Sequence, residues 1–109
     1  MHAFAVLADP VRRRIVEQLL HRPLSSGEVV ELVGTEFGIS QSAVSQQLKV
    51  LRTHGFASVA AEGNRRFYSL DPSAFEQIDE WLTPFRRFWA PKFESLAREV
   101  ARGKRHKKR

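Results

Sequence analysis

Gly38-Ile39-Ser40-Gln41-Ser42-Ala43-Val44-Ser45-Gln46-Gln47-Leu48-Lys49-Val50-Leu51-Arg52-Thr53-His54-Gly55 is the stretch whose reading decides the fold. Both ends of a helix are chemically marked in it. Ser40 is a good N-cap, because its hydroxyl can accept a bond from an orphan amide, and Gly55 beyond the last turn can take the left-handed conformation that ends a helix. Val44, Leu48 and Leu51 recur at i, i+4 and i+7 and form one apolar stripe, while Gln41, Ser42, Ser45, Gln46, Lys49 and Arg52 collect on the opposite side. No Asp or Glu occurs between Glu36 and Glu62. Amide and hydroxyl side chains without acids nearby are the groups that read base edges and hold phosphates without repelling a polyanion.

The flanking segments give this helix a setting. Before it, Ser25-Ser26-Gly27-Glu28 has capping-box spacing ahead of Val29, Val30, Leu32 and Val33, so a short helix runs to Gly34 and Gly38, and the pair reads as a helix-turn-helix. After it, Phe56 to Ala61 and Arg65 to Leu70 read as strands around Glu62-Gly63-Asn64, with Gly63-Asn64 suited to a primed hairpin turn and Glu62 facing Arg65. Tyr68 and Leu70 share the inward face, and Asn64, Arg65 and Arg66 crowd the tip. A hairpin directly after a helix of this kind is a wing whose arginines can reach the backbone or minor groove, or else a solvated hairpin with charges for solubility.

Earlier still, Phe4, Leu7 and Ala8 make one or two helical turns, and Asp9-Pro10 starts a second helix carrying Val11, Ile15 and Leu19 with Val16 and Leu20 beside them, ending near His21. Arg12 to Arg14 read either as solvated or ion-paired residues or as phosphate contacts. At the other end, Phe75, Ile78, Leu82, Phe85, Trp89, Phe93, Leu96 and Val100 advance in steps of three and four, thickened by Trp81 and Phe88. Thr83-Pro84 is expected to kink or split this helix, and Ala90-Pro91 is a second weak point. With two Trp and four of the eight Phe on it, the stripe is too aromatic for a small monomer to cover. It reads as core in its first part and subunit interface in its second, with a pocket for an apolar effector or a membrane-surface helix as alternatives.

Composition bounds the rest. The 109 residues suit one domain, residues 1–102, followed by a disordered basic tail over 103–109. The net charge of +6 is misleading alone, because the last six residues hold five of the 18 basic residues and leave 13 against 12 acids. The distribution matters more: an acid-free middle, with acids gathered at Asp71, Glu76, Asp79 and Glu80. Absent cysteine excludes disulfides and thiolate metal sites, and no apolar run approaches the ~18 residues of a membrane span, so a soluble, unprocessed cytoplasmic protein is expected. No Ser/His/Asp set, phosphate loop or acid pair suggests an enzyme.

Taken together, Leu7-Ala8-Asp9-Pro10-Val11-Arg12-Arg13-Arg14-Ile15, the Gly38 to Leu51 segment, and Glu62-Gly63-Asn64-Arg65 followed by Tyr68-Ser69-Leu70 resemble the ArsR/SmtB family of winged-helix repressors over residues 3 to 100. The resemblance implies a mainly α fold with a β-hairpin wing and a homodimer through the first and last helices, with Phe4, Leu7, Phe85, Phe88, Trp89, Phe93 and Leu96 at the interface. It also implies an effector that lowers affinity for double-stranded DNA. The chain departs from the metal-sensing members. Val29-Val30-Glu31-Leu32-Val33 stands where they carry thiolates, and no His lies between Ser73 and Arg102; His2, His21, His54 and His106 are too scattered to make a ligand set. It resembles the subgroup without a metal site, no cofactor is expected, and the residues name no effector. The resulting expectation is a repressor binding an inverted repeat, with Gln41, Ser42, Ser45 and Gln46 at base edges and phosphates, and Lys49, Arg52, Asn64, Arg65 and Arg66 contributing affinity. The alternatives are a winged-helix protein-interaction module working through the aromatic helix, or a sensor of an apolar small molecule.

Overall fold

Side-chain caps fix the starts of four helices in the chain's first half. The computed structural model describes the backbone of residues 1–107 and the side chains of residues 1–103. Its elements are α1 (Ala3–Ala8), α2 (Pro10–Leu19), β1 (Leu24–Ser25), α3 (Ser26–Val29), a π-helical turn (Val30–Gly34), α4 (Thr35–Phe37), α5 (Gln41–Thr53), β2 (Ala57–Glu62), β3 (Arg65–Leu70) and α6 (Ser73–Lys107). The chain divides into two units, Met1–Ile78 and Asp79–Arg109. Of the basic tail expected over 103–109, residues 108 and 109 and the side chains from 104 onward lie outside what the structure describes.

In the first unit the expected caps form. The Asp9 carboxylate accepts from the amides of Val11 and Arg12, with Pro10 at the first helical position. Ser25 and Glu28 complete a reciprocal capping box, the Ser25 hydroxyl accepting from Glu28 N at 3.1 Å and the Glu28 carboxylate accepting from Ser25 N at 3.0 Å. Gly38 (φ 63°) closes α4 and Gly55 (φ 79°) follows α5, both in the left-handed region. Val6, Ile15, Leu24, Val29, Val33, Val44, Leu48, Leu51 and Phe56 form the buried centre, with Phe75 and Ile78 packed on it. On α1 it is Ala3 and Val6 that turn inward, leaving Phe4 exposed, and Leu20 and Leu32 are exposed although both sit in apolar runs.

The sheet has three strands, in the order β1-β3-β2, all antiparallel. Glu62 pairs with Arg65 across a two-residue turn, as expected. Only Gly63 takes positive φ there, at 60°; Asn64 does not, which fits a turn with glycine first rather than one needing both residues left-handed. β1 is an addition to the expected hairpin: Leu24 lies opposite Tyr68 and Ser25 opposite Phe67. The wing base is then tied to the last helix, Asp71 N donating to Phe56 O at 2.9 Å and Ala74 N to Gly55 O at 3.0 Å.

α6 runs as one helix through Pro84 and Pro91, so the split expected as one outcome at Thr83-Pro84 does not occur. Each proline forfeits one backbone hydrogen bond, but side-chain pairs straddle both sites. Trp81 stacks on Phe85 at 4.4 Å between ring centres, the Thr83 hydroxyl donates to Asp79 O, and Arg86 pairs with Asp79. Around Pro91, Lys92 lies over the Phe88 ring and Trp89 contacts Phe93.

Two stability predictions follow from these local devices. A Cβ at position 55 would meet Ser73 and Ala74 at ordinary contact distance, so Gly55→Ala should cost only its backbone strain, about 1–2 kcal/mol by urea unfolding. Gly27→Ala, helical and sterically open, should instead stabilise by roughly 0.5–1 kcal/mol; the same sign for both would refute the assignment. The second concerns Glu28, whose carboxyl is lowered from its ordinary 4.5 to about 2, chiefly by the Arg22 hydrogen bond and then by the Ser25 amide. A depressed folded-state value means its stabilising contribution is complete above pH 4.5 and lost as pH falls towards 2. The gap in unfolding midpoint between wild type and Glu28→Gln should therefore close across that window and stay constant from pH 5 to 7.

Candidate nucleic-acid interface

α5 owes its outward face to how its other face is seated. Its cap is the Ser40 hydroxyl, which accepts from Ala43 N at 3.1 Å, and Val44, Leu48 and Leu51 are fully buried. The seat is Gly34: a Cβ there would stand 3.4 Å from Ile39 O and 3.5 Å from the Val44 side chain, so a small residue admits the close approach. With the stripe fixed, Gln41, Ser42, Ser45, Gln46, Lys49 and Arg52 are all exposed. Two neighbouring glutamines have different fates. Gln46 faces solvent, whereas Gln47 is half-buried and accepts from Arg12 Nη1 at 2.9 Å.

The outer face comprises two adjacent rows. Ser45, Lys49 and Arg52 follow at i, i+4 and i+7, and Ser42 and Gln46 at i and i+4. The first row meets the wing stem. Ser45, Lys49 and Arg52 line a cleft with Ser26, Arg66 and Tyr68, about 270 Å³ in volume and without a carboxylate. Asn64 and Arg65 are placed elsewhere. They line a second cleft with Ser25, Ser26, Gly27, Glu28 and Glu31, where two acids offset the positive charge. The wing residues grouped together by the sequence are thus divided by the alternation of β3, which puts Arg66 and Tyr68 on one face and Arg65 on the other. Ser26, which lines both clefts, was not legible from the sequence as a neighbour of the wing. It reads as the first turn of α3, and only the two-residue pairing of β1 with β3 brings it beside the wing.

Ion pairing sorts the remaining charges. Arg12 is largely enclosed: its Nε donates to Val6 O at 2.8 Å, its Nη1 to Gln47, and it lies 3.8 Å from Asp9. Arg14 bridges Glu17 and Glu36, and Arg22 pairs with Glu28 at 2.7 Å. Arg12 and Arg14 therefore serve the fold. Lys49, Arg52, Arg65 and Arg66, by contrast, have no ion pair or side-chain hydrogen bond among the described residues.

Of the expected interface positions, Phe4 is exposed and Leu7 half-buried in the first unit. In the second, Phe85, Phe88, Phe93 and Leu96 are exposed and Trp89 is half-buried. Among the described residues no group of three or more His, Asp or Glu could hold a metal ion, and no helix is long and apolar enough to cross a membrane.

Known proteins share this sequence and architecture. The family model described as "Bacterial regulatory protein, arsR family" matches residues 9–59, from the cap of α2 into β2. The HTH-type transcriptional regulator Rv2034 of Mycobacterium tuberculosis is 41% identical over 87 residues, covering 80% of this chain and 75% of that protein. The transcriptional repressor SdpR of Bacillus subtilis is 26% identical over 84 residues, 77% of this chain and 89% of its own. Among solved structures, Rv0081 of M. tuberculosis superposes with a TM-score of 0.60 at 33% identity, covering 84% of this chain and 89% of that one. With its winged helix-turn-helix, its unpaired cations on α5 and these relatives, the chain belongs to the ArsR family of transcriptional regulators.

Proposed function

We propose that this protein is a sequence-specific DNA-binding repressor that holds an inverted-repeat operator as a homodimer. The observation that carries the reading is the exposed, acid-free ridge of α5, flanked by cations that the fold leaves unpaired. In the major groove, Ser42 and Gln46 would meet base edges from the outermost row, Gln41 and Ser45 would meet bases and nearby phosphates, and Lys49, Arg52 and the wing residues Asn64, Arg65 and Arg66 would contribute affinity. SdpR is named a repressor, which supports repression over activation. The exposed aromatic face of α6, together with Phe4 and Leu7 on α1, supplies apolar surface for a second copy. A twofold pair would place its α5 helices one helical turn apart on DNA, roughly 34 Å.

Selection of bound duplexes from a random pool tests this directly: a palindromic consensus with half-sites about 10 bp apart is expected, and recovery of unenriched sequence would count against it. On the selected operator, Gln46→Ala should cost about 1–3 kcal/mol and relax one base position. Arg65→Ala should weaken all duplexes alike and flatten the log-log salt dependence by about 0.9 if one phosphate contact is lost. Equal losses on every sequence for both variants would overturn this division of roles.

A further inference from the structure

The cleft between α5 and the wing stem contains one group that neither the fold nor the ridge accounts for. Tyr68 is 8% exposed, with its ring in the core, yet it also lines the cleft. Its hydroxyl has no hydrogen-bond partner among the described residues, and no side-chain polar atom among them is both fully buried and unsatisfied. The hydroxyl therefore keeps the solvent access that the cleft provides. Around it stand Lys49, Arg52 and Arg66, three cations without ion-pair partners, and the hydroxyls of Ser26 and Ser45, also without partners. An anion entering this concavity would meet three cations and no carboxylate. Hydroxyl donors beside cations suit the tetrahedral oxygens of phosphate, which accept several bonds at once.

We infer that this cleft is a binding site for a single phosphate group, with Tyr68 and Ser26 as neutral hydrogen-bond donors and Lys49, Arg52 and Arg66 as the charge. Resting on the DNA-binding reading above, the phosphate is a backbone phosphodiester of the operator. Its seat is fixed from three elements at once: α5, the start of α3 and β3. A phosphate held there sets the register of the Ser42–Gln46 row on the bases, a task that scattered surface cations perform poorly. Tyr68 is then a positioning residue that retains its ring contacts when the hydroxyl is removed.

Tyr68→Phe is the test, because the aromatic ring and core packing are kept, and an unchanged thermal midpoint verifies that. Tyr68→Phe should weaken operator binding on the order of tenfold, the loss of a hydrogen bond to a charged acceptor, with an unchanged salt slope because no charge is removed. Arg66→Gln should weaken binding and flatten the slope by about 0.9. Operators carrying one methylphosphonate at successive positions should identify a linkage at which wild type and Tyr68→Phe bind equally, since the acceptor is gone. If wild type binds the operator and Tyr68→Phe matches it on every duplex, the cleft assignment is wrong while the DNA-binding reading stands. If wild type binds no duplex at low salt, that reading fails; titration with inorganic phosphate followed by NMR at Tyr68 then decides the site, saturable shifts lost in Arg66→Gln supporting a free phosphate ligand and no shifts overturning the assignment.

Discussion

The seating of α5 on the turn that precedes it is the constraint on which the rest depends. Val44, Leu48 and Leu51 bury one stripe, and Gly34 lies against the Ile39 carbonyl and the Val44 side chain, where a Cβ would just reach ordinary contact, so only a small residue suits the position. The helical run that contains Gly34 continues through Thr35–Phe37 and ends at the left-handed Gly38, where Ile39 N donates back to Gly34 O at 3.0 Å. A helix held this firmly by one face cannot rotate. A rotation of one residue, about 100°, would bring Ser45 into the core and leave a hydroxyl unsatisfied there. The polar ridge is outward because the alternative leaves orphaned donors inside.

Ion pairs on this protein do little for stability, since exposed pairs contribute about 0–1 kcal/mol. Their larger effect is to sort charge. Asp9, Glu17, Glu28 and Glu36 are drawn to Arg12, Arg14 and Arg22, on elements that precede α5, and Asp79 to Arg86 on α6. None of these acids remains to neutralise Lys49, Arg52 or Arg66. The charge over α5 and the inner face of the wing stem thus follows from where the acids lie, none of them between Glu36 and Glu62, more than from the number of bases in a body of nearly balanced charge.

Much of this was legible because it depends on local chemistry. Ser40 and Asp9 as caps, the left-handed glycines, the Glu62–Arg65 register and the buried stripe of α5 all follow from interactions within a few residues. What was not legible depends on partners distant in sequence. β1 is two residues long, too short for alternation to show, and exists only because β3 offers a free edge to Leu24 and Ser25. Leu20 and Leu32 sit in apolar runs, yet lie on the outer sides of their helices. The prolines of α6 suggest a break by their lost hydrogen bonds, whereas the helix runs on through both, with side-chain pairs spanning each: an aromatic and an ionic pair at Pro84, an aromatic and a cation–π pair at Pro91. Tyr68 was legible as inward-facing; that its hydroxyl also meets a cleft depends on Ser26, brought there by the same unforeseen strand.

The aromatic face of α6 and the small size of the ridge belong to one requirement. On the proposed reading a single α5 offers Ser42, Gln46 and their neighbours to only a few base pairs, and each good contact discriminates by about 1–3 kcal/mol. Specific regulators need roughly 4–10 kcal/mol over non-specific sites, which one copy of this ridge does not comfortably supply. A second copy doubles the base contacts without enlarging the domain. The cost of that solution is a surface that keeps two copies together, and Phe85, Phe88, Phe93, Leu96 and Val100 leave much apolar area in water in a single chain. At about 25 cal/mol per Å², covering such a face is a driving force for association, and it comes from a segment that takes no part in the ridge. On that proposed reading, a compact reading head and an apolar terminal helix are complementary halves of one solution to specificity.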